Sequence, residues 1–237
     1  MKKIALLLGL AAVTLLPLPG SVSGGVDVVS RYVWRGFDLL YDNRPAVQPY
    51  LNVGLGDSGF SLGVWSSFAL ARWSEYKAAN EIDLTLSYDF AMPEGWELSA
   101  GATLYGYWFA EDFRFRDATS PELFAALTRT DLPLSPCLSV YYDLNLGSGL
   151  YATLGGSHEW KLAEKASIEA GGQIGFNSRQ YIEKTGFSDI GLYVRAPLSL
   201  GRATLVPALN VMVPLMDEVN EATEFWVGIS VVLGNDE

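Results

Sequence analysis

The 237-residue chain has a single cysteine, Cys137, and a single histidine, His158. One cysteine excludes an intrachain disulfide. One histidine excludes a multi-histidine metal site, and no Cys/His cluster points to zinc. Bases are scarce, 16 Lys and Arg against 27 Asp and Glu, for a formal net charge of −11. That balance argues against nucleic acid, which is bound by basic residues that neutralise phosphates. Although 49% of the residues are hydrophobic, no apolar run reaches the ~18 residues that a spanning helix needs. The mature chain is therefore not a helical membrane protein.

The N-terminus has the layout of an export signal. Lys2 and Lys3 form a positive region, Ile4 to Leu16 is a short apolar run, and Pro17, Pro19 and Gly20 break it. Small residues at Ser21, Ser23, Gly24 and Gly25 offer cleavage sites. We expect a secretory signal peptide over residues 1–24, cut near Gly24, and one domain over residues 25–237.

What fills that domain is a two-residue rhythm. In Trp96-Glu97-Leu98-Ser99-Ala100-Gly101-Ala102-Thr103-Leu104-Tyr105-Gly106-Tyr107-Trp108 every second side chain is apolar or small. Alternate side chains of a strand face opposite ways, so the segment has one oily and one wet face. Its length and terminal aromatics match a membrane-spanning β-strand, which persists in lipid only within a closed barrel. Twelve such strands are predicted: Val26–Phe37, Ala46–Leu55, Phe60–Ala69, Asn80–Phe90, Trp96–Phe109, Pro121–Thr130, Cys137–Leu146, Leu150–Leu162, Ser167–Asn177, Phe187–Leu198, Arg202–Val213 and Glu224–Leu233.

Tight turns at Gly56 to Gly59, Ala91 to Gly95, Asp131 to Pro136, Ala163 to Ala166 and Ser199 to Gly201 alternate with mostly longer, more charged loops. That alternation is the outer-membrane arrangement of short periplasmic turns and longer outside loops. Gly147-Ser148-Gly149 is a short exception on the outer side. Ile82, Leu84, Leu86, Tyr88 and Phe90 share a predicted lipid face, as do Phe225, Val227, Ile229, Val231 and Leu233. The expected fold class is all-β, an antiparallel transmembrane up-and-down β-barrel. A soluble sandwich also alternates, with its oily side inward; strand length, aromatic ends, loop asymmetry and the leader favour the barrel.

Ser30-Arg31-Tyr32-Val33-Trp34-Arg35-Gly36, Pro45-Ala46-Val47-Gln48, Gly59-Phe60 with Gly63-Val64-Trp65-Ser66-Ser67, and Glu81-Ile82-Asp83 resemble the opening of the TorF family of porins. The matches cover the N-terminal third of the chain. The resemblance implies a proteobacterial outer-membrane barrel with a presumed pore, and brings no catalytic residue and no established substrate. The last strand is followed by Gly234-Asn235-Asp236-Glu237, a departure from barrels that end on an aromatic residue.

Three local patterns carry competing readings. Gly54-Leu55-Gly56-Asp57-Ser58-Gly59 spells a dinucleotide fingerprint, but Phe60 onward reads as a strand where that fingerprint needs a helix N-terminus. A hairpin turn is expected, and no cofactor. His158 adjoins Ser157, so the two point to opposite faces and no hydrolase triad forms. His158 is expected at the interface beside Trp160. Glu111 to Asp117 is a charged, aromatic outside loop.

The predicted wet faces carry Asp27, Glu81, Asp83, Asp89, Glu97, Glu122, Asp143, Glu159, Glu169, Asp189 and Glu224 against Arg31, Arg35, Lys161, Arg195 and Arg202. Such charges either line a selective pore or bridge across the lumen and plug it. Candidate pore-lining residues are Arg31, Arg35, Glu81, Asp83, Asp143, Glu169 and Arg195.

The reading is a narrow, weakly cation-preferring porin-like channel for passive diffusion of small hydrophilic solutes, not an enzyme. It is placed in a Gram-negative outer membrane among lipid and lipopolysaccharide, and inserted by the outer-membrane assembly machinery. The alternatives are a plugged, non-conducting barrel that binds or adheres through its outside loops and, below it, a membrane lipid-modifying enzyme.

Overall fold

A computed structural model of the chain describes residues 21–41, 44–71, 75–76, 79–107 and 114–234. In chain order the strands are β1 (Val22–Val29), β2 (Val33–Trp34), β3 (Phe37–Asp38), β4 (Ala46–Gly54), β5 (Phe60–Ala69), β6 (Glu81–Phe90), β7 (Trp96–Gly106) and β8 (Thr119–Arg129). They continue with β9 (Cys137–Asp143), β10 (Leu150–Ala163), β11 (Ala166–Ser178), β12 (Thr185–Arg195), β13 (Leu198–Leu200), β14 (Ala203–Pro214) and β15 (Glu224–Gly234). Twelve of them form the wall of an antiparallel barrel in which each strand pairs with the next. Pairing of β1 with β15 closes the ring, for example Val26 with Val231. Closure leaves no unpaired strand edge.

The outer surface is apolar because the two-residue period is kept around the ring. Leu84, Leu86 and Phe90 of β6, Leu138 and Tyr142 of β9, and Phe225, Val227, Ile229, Val231 and Leu233 of β15 are all exposed. Their neighbours point inward: Glu81, Asp83, Ser139, Asp143 and Glu224 are buried. Aromatic side chains gather at both rims. At the end with the tight turns, Tyr88 packs 4.7 Å from Phe60 and 4.8 Å from Phe90, ring centre to ring centre. At the end with the loops, Phe176 and Phe187 pack at 5.7 Å. An apolar exterior with aromatic rims and a polar interior is the membrane-barrel distribution, the reverse of a soluble sandwich.

The first predicted strand, Val26–Phe37, is a departure. The wall strand β1 ends at Val29, and the chain then turns into the lumen. There Val33-Trp34 and Phe37-Asp38 pair as a small hairpin, β2–β3, detached from the wall. Its two turn residues, Arg35 at φ 50° and Gly36 at φ 88°, both lie in the left-handed region that a tight two-residue hairpin requires. A Cβ on Gly36 would meet Val219 Cγ1 at 2.4 Å. The alternation of Arg31-Tyr32-Val33-Trp34-Arg35 continues across the break, so the pattern alone reads as one strand. Burial of Tyr32 and Leu40 against Ala46, Ala69 and Tyr76 anchors the turned-in segment as an apolar core inside the loop end.

Smaller departures also have local causes. β9 stops at Asp143 rather than Leu146, because the Asp143 carboxylate takes the backbone N–H groups of Asn145, Gly147 and Ser148 at 2.9, 2.8 and 3.1 Å. Those amides are thereby withdrawn from the ladder. The strand predicted over Phe187–Leu198 splits into β12 and β13 across Pro197, which has no N–H to donate. Gly56–Ser58 forms a short 3-10 turn between β4 and β5, followed by a strand and not an α-helix.

The leader residues Lys2, Lys3 and Ile4 to Leu16 lie outside the described residues, as do Trp108, Phe109 and the first three residues of the Glu111 to Asp117 loop. β1 begins at Val22, so a cut after Gly24 would remove the Val22–Val53, Ser23–Asn52 and Gly24–Leu51 pairs.

A charge on the lipid face tests the orientation of the wall. Leu86→Arg, at mid-strand, is expected to cost about 2–4 kcal/mol of folding free energy, measured by urea titration in lipid vesicles.

Candidate functional site in the lumen

The loop end of the lumen is occupied by the inner hairpin and held by a buried ion pair at the hairpin tip. Arg35, at the hairpin tip, donates Nη1–H to Glu122 Oε2 at 2.6 Å and Nη2–H to Glu122 Oε1 at 2.7 Å. It also donates to Gln180 Oε1 at 2.8 Å, and Gln180 donates back to Glu122 at 2.9 Å. The Tyr105 hydroxyl donates to Glu122 at 2.8 Å. The guanidinium carbon sits 4.3, 4.2 and 5.0 Å from the ring centres of Trp34, Tyr141 and Tyr151. A two-pronged guanidinium–carboxylate contact is geometrically demanding and strong. Here both side chains are buried, at 7% and 1% exposure.

Further polar contacts secure the same end. Arg31 pairs with Glu224, and the Tyr32 hydroxyl donates to Glu81. Asn220 donates to the Gly36 carbonyl at 3.3 Å and to Glu224 at 3.1 Å. Asp143 accepts from Ser120 at 2.7 Å and from Tyr181 at 3.0 Å. Above the lumen, Lys184 and Glu218 pair between two outer loops; each charge favours the other, so Lys184 titrates higher and Glu218 lower than usual.

The hairpin leaves space on both sides of it. A cavity of about 430 Å³ is lined by residues of β9 to β12 and β14, among them Cys137, Gln173, Asp189, Tyr193 and Arg195. A second, of about 400 Å³, lies against β4 to β7 and includes Trp65, Asp83, Thr85, Thr103 and Tyr105. Val33 and Trp226 border both. Cys137 is partly buried, with its Sγ 3.5 Å from Ser139 Oγ.

Of the predicted pore residues, Arg31, Arg35, Glu81, Asp83 and Asp143 gather at the loop end around the hairpin. Glu169 and Arg195 form a separate cross-strand pair near the turn end, 3.9 Å apart, with Arg195 over the Tyr193 ring. Asp143 is consumed in capping the end of β9. Asp89, Glu97, Glu159, Lys161 and Arg202 are exposed toward the turn end. Gln180 carries no signal in sequence, because it sits in an outer loop and enters the lumen only through tertiary packing. Tyr105 was on a legible inward face. His158 is exposed, its ring 4.6 Å from Trp160 at the turn-end rim. Among the described residues, no group of three His, Cys, Asp or Glu is arranged to hold a metal ion.

A family model described as a bacterial protein of unknown function (Gcw_chp) matches residues 17–128. No curated protein matches the chain in sequence. Among solved structures, the chain resembles the KdgM porin with a TM-score of 0.56 at 12% identity, over 89% of this chain and 98% of that one. It resembles the NanC porin at 0.51 and 11%, over 90% and 98%. LpxR from Salmonella typhimurium is similar at 0.51 and 11%, over 89% and 99%. At these identities the likeness is one of fold, a twelve-stranded outer-membrane-type barrel.

Removing one partner of the central pair strands a buried charge. Glu122→Ala is expected to lower stability by about 3–5 kcal/mol. Glu169→Ala, in a partly exposed pair, should cost no more than about 1 kcal/mol. Urea unfolding of the two variants in the same vesicles compares them.

Proposed function

We propose that the protein is a constricted porin-like channel of a Gram-negative outer membrane, reached through a cleaved signal peptide and the barrel assembly machinery. Lipid and lipopolysaccharide would surround it, and small hydrophilic solutes would pass by diffusion. The observation that carries this reading is the unfilled space on both sides of the inner hairpin, largely polar-lined on one side and largely aromatic on the other, inside a barrel whose outer face is apolar. The resemblance of the opening motifs to the TorF family of porins and the fold shared with the KdgM and NanC porins support it.

A weak cation preference is part of the proposal. Glu81, Asp83, Glu122, Asp143, Asp189 and Glu224 are buried around the loop end, against Arg31 and Arg35. An excess of fixed negative charge in a low-dielectric constriction concentrates cations and repels anions.

A second reading, a barrel closed by its side chains, draws on the Arg35–Glu122–Gln180 contacts that hold the hairpin across the lumen. Single-channel recording in planar bilayers under a salt gradient separates the two. The channel reading expects discrete steps with a cation-selective reversal potential, and larger steps for Arg35→Ala as the hairpin loosens. Silence from folded, inserted wild type and Arg35→Ala alike would establish the closed barrel.

Cys137 provides an independent test, because it lines the larger cavity and is the only thiol. Methanethiosulfonate reagents applied from the turn side should modify it, the cationic reagent faster than an anionic one of similar size. Equal rates would remove the charge preference.

A further inference from the structure

The smaller cavity has a composition that the channel reading does not require. Asp83 lines it, is 5% exposed, and accepts one long hydrogen bond, 3.3 Å from the backbone N–H of Gly106. Among the described residues no Lys or Arg lies within ion-pair distance of it. Its neighbour on the same face, Glu81, has the Tyr32 hydroxyl. The other charged group on the cavity wall, Arg31, is already paired with Glu224. The wall therefore carries one buried carboxyl with no basic partner among the described residues, and its ionised form is costly unless a cation meets it.

Around that carboxyl the walls are aromatic. Trp34, Trp65, Tyr105 and Trp226 all line the space. Trp34 meets Tyr105 edge-on at 5.7 Å, and Trp65 packs against Tyr32 at 5.7 Å. Ring faces attract cations that bring little hydration with them, above all ammonium groups bearing alkyl substituents. A bare metal ion instead needs several converging oxygens. The nearby Thr85 and Thr103 hydroxyls are hydrogen-bonded to each other at 3.0 Å, and Asp83 is the lone charged oxygen donor available. A volume of about 400 Å³ lies in the range of small-ligand sites.

We infer that this cavity is a binding site for a small organic ammonium ion, with Asp83 as its counter-charge and Trp34, Trp65, Tyr105 and Trp226 as its walls. Trp34 comes from the inner hairpin, so the element that narrows the lumen also completes the site. The inference shares with the channel reading only a lumen open to solutes at one end, because the ligand must enter it to reach Asp83.

The test is a titration of the folded, full-length barrel in detergent micelles with choline and with butylammonium, at constant ionic strength, read by tryptophan fluorescence. Glucose and sodium chloride serve as controls. Three of the seven tryptophans line the cavity, so a saturable change is expected with the two ammonium ions and not with the controls. Asp83→Asn keeps the shape and should weaken binding at least about tenfold, the effect of losing one charge-assisted contact. Trp65→Leu and Trp226→Leu should each weaken it about three- to tenfold, and they carry the test if Asp83→Asn does not fold. Absence of saturable binding to the folded wild type, or unchanged affinity in Asp83→Asn, would overturn the site. Conductance without binding removes the site and leaves the channel; Asp83-dependent binding in a silent barrel supports the site and removes the channel.

Discussion

The organisation of the lumen depends on burying a guanidinium beside a carboxylate. Arg35 and Glu122 come from an inner hairpin and from the wall, 87 positions apart in sequence, and meet through two parallel hydrogen bonds. Neither charge could be left alone at that depth, because the desolvation penalty of one unpaired ion rivals the stability of a whole domain. The pair therefore dictates where the hairpin tip must sit. Gln180, Tyr105 and the rings of Trp34, Tyr141 and Tyr151 saturate what remains of the guanidinium's donors and faces.

With the tip fixed there, the barrel becomes asymmetric along its axis. The loop end holds a small apolar core, the buried acids and their hydroxyl and amide partners. The turn end carries Glu169, Arg195 and Tyr193 in a looser, partly exposed arrangement. The hairpin leaves two cavities whose walls differ in character. One is lined largely by small and polar side chains, including Cys137, Ser139, Thr153 and Ser157. The other is aromatic around a single carboxylate. A channel with such a divided lumen would discriminate by the chemistry of its walls as well as by width.

Much of the wall was legible before the structure. The apolar outer faces of β6, β9 and β15 follow directly from alternation, since one face meets lipid and the other does not. Inward placement of Glu81, Asp83, Glu122 and Asp143 follows from the same period. The inner hairpin was not legible, because Arg31 to Arg35 keep the alternation of the strand they leave. Nor was the capping role of Asp143, which depends on a loop folding back onto a carboxylate that alternation marks only as inward.

The amino-acid sequence by itself determined the class of fold and the sidedness of regular wall strands such as β6 and β15; in β12 a bulge at Ser188 puts Phe187 outside and Asp189 inside, against the two-residue period. Hydrophobic periodicity is a local property, and in a barrel each strand must satisfy it separately. Only the tertiary structure decided which charges meet. Arg35 and Glu122, Arg31 and Glu224, and Gln180 with both members of the central pair are brought together by strand register and by a chain reversal at Arg35-Gly36. Pairing of that kind depends on distances across the lumen, and no short-range pattern in the chain encodes them.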